Sequence, residues 1–394
     1  MDGPKRHSMR KIQFLIFFSV FLLVYAIVNS YIFIRGWEVI PAEFHPLYIG
    51  LFTFLSWSFL AGRLLERLRL SWLSSALVWI GSYWLAAMAY FYIALLAIDV
   101  LRLINHAIPF FPPFVMQNPV LSGEIAGMVV LTGVLLVLAA GYWNARTPRI
   151  RHLDIPIGKN GSGLKRMNVV ALSDIHLGTI IGKKRLDAIV NIVNSLDPDL
   201  VLLPGDVVDE DIGPVIKQNL GETLRQIRSR FGVIAITGNH EYIGGAEAAV
   251  RYLTEHGIVV LRDQMITVAE SMVIVGREDR SKRGFSGEQR KSLAEIMDGI
   301  DRSLPILMMD HQPAKLQEAV DQGVDLQLSG HTHHGQLWPF QLITNRMYEV
   351  SWGYKKKGNT HFYVSCGVGT WGPPVRIGNT PEIMQINLTF NGKS

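Results

Sequence analysis

The sequence contains almost no cysteine and comparatively little charge. Its single cysteine, Cys366, excludes an intrachain disulfide and is typical of proteins kept in a reducing compartment. Charged residues make up 18% of the chain and hydrophobic residues 49%, a balance that indicates membrane association. No low-complexity tract or internal repeat stands out. At 394 residues, the chain is long enough for two or more domains.

The apolar residues are concentrated in residues 1–145. The segment 12–34 carries no charge and is long enough to cross a hydrocarbon core about 30 Å thick. A signal peptide is disfavoured there, because the apolar stretch is too long and no small-residue cleavage site follows it. Similar segments follow at about 46–62, 71–98 and 125–143. We therefore expect an α-helical bundle of four transmembrane spans.

Lysine and arginine are distributed unevenly around these spans. The two sparsely charged connections hold only Arg35 and Arg102. The other basic residues lie in three segments. The N-terminal tail holds Lys5, Arg6, Arg10 and Lys11. The loop between spans two and three holds Arg63, Arg67 and Arg69, and the exit from span four holds Arg146, Arg149 and Arg151. Because basic flanks favour the cytoplasmic side, we expect an integral multi-pass protein with both chain ends in the cytoplasm.

The formal net charge of +5 does not indicate nucleic-acid binding. Residues 1–145 hold nine basic and six acidic side chains, which leaves 29 basic and 27 acidic side chains for the rest of the chain. A nearly neutral soluble part lacks the cationic excess that binding to a phosphate backbone usually requires. No nucleic-acid partner is expected.

The pattern of apolar and polar residues changes after span four. Residues 146–165 are polar, contain Gly161-Ser162-Gly163, and are interpreted as a linker. From 166 to 394, short β-branched apolar runs alternate with amphipathic stretches such as "KKRLDAIVNIVNSL". This alternation predicts an α/β domain in which a second, strand-rich sheet packs on the first.

Residues of metal-ligating type follow the ends of five predicted strands. Loops at the carboxyl ends of strands are where α/β folds place their chemistry. Each residue alone has an ordinary explanation, as a turn residue or a satisfied structural histidine, but their coincidence at five strand ends favours one site. The set comprises Asp174 and His176, Asp206, Asn239 and His240, His311, and His331 with His333.

This ligand set favours a pair of metal ions. Carboxylate, amide and imidazole ligands suit Mn, Fe, Zn or Ni rather than calcium, and the absence of thiolates argues against a structural zinc site. The ligands are too many for one four-coordinate ion, but two ions about 3.5–4 Å apart, sharing a carboxylate, would use them all. Such a pair generates hydroxide from bridging water and polarises a phosphoryl group. The sequence therefore predicts hydrolysis of a phosphate ester.

Five motifs, in this order, resemble the signatures of the calcineurin-like metallophosphoesterases: "SDIHLG", "GDVVD", "GNHE", "DHQP" and "GHTH". The resemblance covers roughly residues 166–390, and it implies a sandwich of two mixed sheets flanked by helices with a dinuclear centre at the strand ends. Combined with the apolar N-terminal part, it is similar to the membrane-anchored bacterial branch. It implies a bacterial cytoplasmic membrane, and the distribution of basic residues predicts that the catalytic domain lies on its cytoplasmic side.

The resemblance also implies a role for each motif residue. Asp206 would bridge two metal ions, His240 would donate a proton to the leaving oxygen, and Asp209 would orient His240. The first ion would be bound by Asp174, His176 and His333, and the second by Asn239, His311 and His331. His334 departs from the fuller family pattern, which often has glycine after "GHTH", and is interpreted as a bystander or a substrate contact.

Two loops are weaker candidates for substrate binding. The segment 277–291 is basic and interpreted as a solvated loop or an anion clamp. The segment 367–382 contains Trp371 and Arg376, and arginine suits bidentate binding of phosphate.

Three functions remain open on sequence alone. The first is hydrolysis of a membrane-associated phosphodiester, pyrophosphate or phosphomonoester of a lipid. The second is hydrolysis of soluble nucleotides or phosphoproteins by a membrane-anchored enzyme. The third is a non-catalytic interaction module, which the complete ligand set disfavours. Transport is disfavoured because the spans lack mid-span charges, with Asp99 and Glu124 lying at predicted span ends.

Overall fold

The computed structural model describes residues 3–391, with side chains from residue 19 onwards. The basic N-terminal tail, the first residues of the first predicted span and residues 392–394 of the predicted C-terminal domain therefore lie outside the described side chains. The chain forms two compact units, Met1–Ala140 and Gly141–Ser394.

The first unit is helical. Its helices, the last of which continues into the second unit, are α1 (Gly3–Val39), α2 (His45–Leu68), α3 (Trp72–Ala107), α4 (Pro113–Gln117) and α5 (Pro119–Ala145). Four described stretches are long and apolar enough to cross a membrane: Ser19–Val39, Ala42–Leu68, Trp72–Ala107 and Pro119–Ala145. Ser71 caps α3 by accepting a hydrogen bond from the Ser74 amide at 3.1 Å.

In its described residues, the second unit contains a short 3-10 helix, His333–Gly335, together with twelve strands and nine α-helices that begin within it. In chain order these are β1 (Arg149–Ile157), β2 (Arg166–Ala171), α6 (Lys183–Ser195), β3 (Leu200–Leu203), α7 (Gly213–Lys217), α8 (Leu220–Leu224), β4 (Val233–Ile236), α9 (Asn239–Gly244), α10 (Ala246–Glu255), β5 (Ile258–Leu261), β6 (Gln264–Val268), β7 (Met272–Gly276), α11 (Lys282–Phe285), α12 (Leu293–Ile296), β8 (Ile306–Met309), α13 (Gln317–Asp321), β9 (Leu326–Ser329), α14 (Gln341–Met347), β10 (Gly353–Lys357), β11 (Thr360–Val364) and β12 (Glu382–Phe390).

The strands form two six-stranded mixed sheets. One has the order β1-β12-β2-β3-β4-β5 and the other β10-β11-β9-β8-β7-β6. Pairing is parallel from β2 to β5 and from β7 through β8 and β9 to β11, so the carboxyl ends of these strands lie along one edge of each sheet. The predicted fold class, four apolar helices followed by an α/β domain with two mixed sheets, is confirmed.

The main core lies between the two sheets. It combines buried side chains from the first sheet, such as Leu202 and Ile386, with side chains from the second, such as Ile274 and Leu328. Helix α6 buries Leu186, Ile189, Val190 and Val193, the three- and four-residue spacing that predicted an amphipathic helix there. Packing of this core holds the strand ends in fixed positions.

The segment 146–165 is not simply a linker. Residues Arg149–Ile157 form β1, which pairs in parallel with β12 at the edge of the first sheet. Its first residues are mostly exposed, which gave the sequence a polar character, but Ile155 and Ile157 are buried in the core. The other boundaries of the three predicted domains stay predictions.

Candidate metal centre

The predicted ligands lie at the carboxyl ends of neighbouring strands. They follow β2 (Asp174 and His176), β3 (Asp206), β4 (Asn239), β8 (His311) and β9 (His331 and His333). Since β2, β3 and β4 are adjacent in one sheet and β8 and β9 in the other, the packing of the sheets brings the five loops together.

The backbone of these loops is strained. Asp174, His176, Asp206, His331 and His333 all have positive φ values, between 46° and 72°. This left-handed conformation is unfavourable for residues with a side chain. It is found mainly at functional sites, where the surrounding structure holds the backbone in place. Here it turns each side chain sharply out of its strand and towards the common centre.

One group of ligands comprises Asp174, His176 and His333. The Nε2 atoms of the two imidazoles lie 3.0 Å apart, and His333 Nε2 lies 3.5 Å from Asp174 Oδ1. All three side chains are buried, and their ligand atoms lie within 4.8 Å of one another. Burial lowers the pKa of His333, with His176 and Arg376 adding to the effect, so His333 is neutral and able to ligate.

A second group contains Asp206, Asn239, His311 and His331. The Asn239 Oδ1 atom lies 2.7 Å from His331 Nδ1 and 3.2 Å from His311 Nε2. His311 Nε2 also lies 3.0 Å from Asp206 Oδ2, and the same carboxylate oxygen lies 3.8 Å from His176 Nε2 in the first group. Asp206 therefore lies between the two groups.

These groups fit divalent cations. Asp174 and Asp206 are buried carboxylates, and imidazole nitrogens converge on them instead of turning towards solvent. Burial opposes ionisation of Asp206, but His311 and His240 outweigh it and hold its pKa well below the usual range. Buried charges of this kind persist in proteins when they are paired or bind a metal ion. The mixture of carboxylate, amide and imidazole is the ligand chemistry of Mn, Fe, Zn and Ni.

Further contacts orient the ligands. The Pro204 carbonyl lies 2.8 Å from His311 Nδ1, which turns the Nε2 atom of that ring towards the centre. The amide of His331 donates to Asp174 Oδ1 at 2.8 Å, and the Ser173 hydroxyl donates to the other oxygen of Asp174.

Glu241 holds two of the ligand loops together, and sequence reasoning missed it. Its carboxylate accepts hydrogen bonds from the amides of Asp206, Val208 and Gly238. Glu241 therefore fixes the loop of the central carboxylate against the loop that contains Asn239. The glutamate was visible in the motif "GNHE", and its place in a ligand motif was the available signal.

His240 lies beside the ligands and against a carboxylate. Its Nδ1 atom is 3.1 Å from Asp209 Oδ1, and its amide donates to Asp206 Oδ1 at 2.9 Å. Burial lowers the pKa of His240, but Asp206 and Asp209 more than compensate and raise it to about 9. A raised pKa of this kind suits a residue that donates a proton.

The three weaker candidates have different surroundings. The Trp371 ring is half exposed, with its centroid 6.0 Å from that of His240, so it borders the centre. His334 faces Trp352, with ring centroids 5.2 Å apart, and its Nδ1 atom lies 3.1 Å from Ser351 Oγ. His334 therefore contacts Trp352 and Ser351 and belongs to none of the groups of described residues that could hold a metal ion.

Arg376 was expected to contact substrate, and the structure contradicts this. Its side chain is fully buried and donates to the carbonyl oxygens of Cys366 and Gly369 and to Asn379 Oδ1. Asn379 in turn donates to the carbonyl of His333 at 3.0 Å. All the guanidinium nitrogens point into the protein, so Arg376 supports the loop of a ligand and cannot meet a substrate.

The basic segment 277–291 is largely occupied by internal contacts. Arg277 and Arg290 both form ion pairs with the buried Asp310, the residue before the ligand His311. The anion-clamp interpretation is therefore not supported for these two arginines.

Comparison with known proteins identifies the family. The sequence profile described as calcineurin-like phosphoesterase matches residues 167–335. An uncharacterized metallophosphoesterase of Helicobacter pylori is 32% identical over 266 residues, which are 65% of this chain and 69% of the relative. The chain belongs to the calcineurin-like metallophosphoesterase family.

A second relative and one solved structure were also similar to this chain. A zebrafish (Danio rerio) relative described as a transmembrane protein with metallophosphoesterase domain is 32% identical over 289 residues, 69% of this chain and 65% of that protein. The chain thus matches about two thirds of the length of these relatives. The structure of a 5'-nucleotidase precursor from Thermus thermophilus aligns with 57% of this chain and 54% of its own, at 13% identity and a TM-score of 0.36.

Membership of the metallophosphoesterase family confirms the resemblance found in the motifs. The family is metal-dependent and hydrolyses phosphate esters, and the clustered aspartates and histidines are able to bind metal ions. Four apolar helices and a relative described as a transmembrane protein support membrane association.

Proposed function

We propose that the protein hydrolyses a phosphomonoester, phosphodiester or pyrophosphate with two bound divalent cations of Mn, Fe, Zn or Ni. The observation that carries this proposal is the position of Asp206 Oδ2, which lies 3.0 Å from an imidazole nitrogen of one ligand group and 3.8 Å from one of the other. Asp206 would bind both cations. Asp174, His176 and His333 would hold the first, and Asn239, His311 and His331 the second.

Bound there, the cations supply Lewis acidity and a water molecule of lowered pKa. The side chains of the protein contribute the remaining steps. His240, whose pKa is raised by Asp206 and Asp209, would donate a proton to the oxygen that leaves phosphorus. Asp209, 3.1 Å from His240 Nδ1, holds this ring in the donating orientation. Trp371 borders the space in front of His240 and would contact the leaving group.

The substrate is proposed to be a membrane-associated lipid phosphate. Four apolar helices exceed what is required to anchor a soluble domain, which favours this source over a soluble nucleotide or phosphoprotein. The alternative is an anchored enzyme of soluble substrates. Activity on a soluble aryl phosphate combined with no activity on lipid phosphates in bilayers would favour that alternative.

The topology follows from the distribution of charge. We infer that the four spans place both chain ends and the catalytic domain in the cytoplasm, because the three basic flanks lie on one side of such an arrangement. A cysteine introduced at Lys356, an exposed residue of β10, should react with a membrane-impermeant maleimide only after the cells are opened. Labelling in intact cells would contradict the proposed orientation.

Turnover by the full-length protein tests the catalytic proposal. Purified protein would be stripped of metal, reloaded with Mn²⁺, and assayed with bis(4-nitrophenyl) phosphate and 4-nitrophenyl phosphate. We expect Mn²⁺ to restore turnover of at least one of these substrates, and expect Asp206→Asn and His240→Ala to abolish it. Metal-loaded protein without turnover on soluble or lipid phosphates would instead favour a non-catalytic interaction module.

A further inference from the structure

An exposed apolar surface borders the metal centre on the segment that follows the loop of His331 and His333 and on the loop that contains Trp371. It consists of six large side chains, between 38% and 68% exposed, which we name the rim surface: Trp338, Phe340, Leu342, Ile343, Met347 and Trp371. Single exposed apolar residues are ordinary, but a group of this size is typical of an interaction site. Five of the six follow the ligand His333 within fourteen residues.

Hydrogen bonds fix the rim surface to the loops of the metal centre. The Gln336 side-chain amide donates to the carbonyl oxygens of Trp371 and Pro373, both at 3.0 Å, and accepts from the Trp371 amide at 2.9 Å. The Trp338 amide donates to the Ile377 carbonyl at 2.7 Å. Trp371 also borders His240. A partner bound to the rim surface would therefore lie next to the proposed reacting groups.

Helix α14 presents the apolar residues on one side. At 100° per residue, Leu342, Ile343 and Met347 fall within an arc of about 140°. Arg346 falls within the same arc and is exposed, and residues 334–348 contain no acidic side chain. Exposed tryptophan, aliphatic side chains and a long cationic side chain together are typical of surfaces that lie at a membrane interface.

The chain enters this unit from an apolar helix at a point close to the rim surface. The carbonyl of Gly141, in the last turns of α5, accepts from the Arg376 amide at 3.0 Å, and Asn144 donates to the Arg376 carbonyl at 2.9 Å. Ile377, the next residue, is the partner of Trp338. The end of a candidate membrane span is thus hydrogen-bonded to the segment that supports the rim surface.

We propose that the rim surface inserts into the interfacial layer of a lipid bilayer and brings the metal centre to lipid phosphate groups. The insertion follows from the exposed apolar residues, the absence of acidic side chains from residues 334–348 and the continuity with α5. The delivery of lipid phosphates also rests on the proposed hydrolase function. A second copy of this chain could also cover an apolar surface, and the experiment separates these two occupants.

Fluorescence quenching tests the insertion. Full-length protein with Ile343→Cys would be labelled with a nitrobenzoxadiazole dye and reconstituted into phosphatidylcholine–phosphatidylglycerol vesicles that contain lipids with nitroxide-labelled acyl chains. The native Cys366 is buried, and unsubstituted protein measures its background labelling. The matched control is Val259→Cys, another exposed β-branched residue of this unit, 48% exposed on β5.

We expect the dye at residue 343 to be quenched at least about twofold more than the dye at residue 259, because an inserted interfacial helix lies at the headgroup–acyl boundary. Equal quenching at the two positions would overturn the proposal. Disulfide-linked dimers of the unlabelled Ile343→Cys protein, without lipid quenching of the labelled protein, would assign the surface to a second copy of the chain and would also overturn the proposal.

Turnover of two substrates tests the delivery of lipid phosphates. The variant Leu342→Ser/Met347→Ser should lower turnover of phosphatidic acid in vesicles about tenfold or more, because each substitution removes a large apolar side chain from the interface. Its turnover of soluble 4-nitrophenyl phosphate should stay unchanged. Equal losses on both substrates would contradict delivery from the bilayer. If the unsubstituted protein hydrolyses neither these monoesters nor a phosphodiester or pyrophosphate, soluble or in vesicles, the hydrolase proposal fails, while the quenching result still decides the insertion.

Discussion

Arg376 is expected to control the metal centre without touching the substrate. Its buried guanidinium donates to the carbonyls of Cys366 and Gly369 and to Asn379, which in turn donates to the carbonyl of His333. Replacement by methionine removes every one of these donors but keeps a long side chain. The loop that carries His333 would therefore lose its support and its fixed orientation.

The size of the effect follows from the contacts that Arg376→Met removes. Two carbonyl oxygens and one amide oxygen lose a donor, and a buried acceptor without a partner costs about 1–3 kcal/mol. Loss of the buried positive charge offsets part of this cost. Substitutions that disturb the orientation of a metal ligand lower metal affinity about 10- to 100-fold. This range corresponds to about 1.4–2.8 kcal/mol of binding free energy.

The assay is a Mn²⁺ titration of metal-free, full-length protein with turnover of a soluble aryl phosphate as the readout. We expect Arg376→Met to raise the Mn²⁺ midpoint, while the KM at saturating Mn²⁺ changes by less than about twofold. Arg225→Met, at an exposed arginine that pairs with Glu222, is the control and should change neither value. Arg376→Lys, a milder variant, should shift the midpoint in the same direction.

A particular result would refute this reasoning. If Arg376→Met raised KM about tenfold and left the Mn²⁺ midpoint unchanged, the arginine would be part of the substrate site. If the Arg376→Met variant does not fold, the Mn²⁺ midpoint and KM of Arg376→Lys decide between support of the metal ligand and contact with the substrate.

Three further predictions concern groups around the centre. Asp209→Asn should lower kcat about 10- to 100-fold, with unchanged metal content, because it removes the carboxylate that orients His240 and holds its proton; loss of metal would show a ligand role instead. Glu241→Gln should weaken metal binding, which a metal titration would measure. The carboxylate of Glu241 accepts hydrogen bonds from backbone amides, whereas the NH₂ group of glutamine is a donor and cannot accept them. His334→Ala should change kcat and metal affinity by less than about twofold, since its ring faces Trp352 and belongs to none of the ligand groups; a tenfold loss would make it part of the site.

Sequence reasoning was most successful where residue type and strand position agreed. A carboxylate or imidazole at the end of a buried strand could be predicted to face a common edge, because parallel strands end at the same edge of a sheet. The structure brings Asp174 next to His176 and His333, and Asp206 next to His311 and His331. The two sheets followed from short β-branched runs in the same way.

The sequence was less informative where burial depends on tertiary packing. Arg376 lies among turn residues, and a turn-rich segment predicts exposure, but the folded loops enclose the guanidinium completely. The strand Arg149–Ile157 was hidden by its polar first half, since an edge strand buries only part of its side chains. The apolar residues of α14 were also overlooked, because a short helix carries too few residues to show a clear period.

The most direct test of the account is the metal stoichiometry of the full-length protein. Metal-free protein would be equilibrated with Mn²⁺, and the bound ions would be counted and examined by electron paramagnetic resonance. The account predicts two ions per chain with the signal of a magnetically coupled pair, and loss of that coupling in Asp206→Asn. A single bound ion, or two ions with uncoupled signals, would contradict a centre in which Asp206 joins two cations.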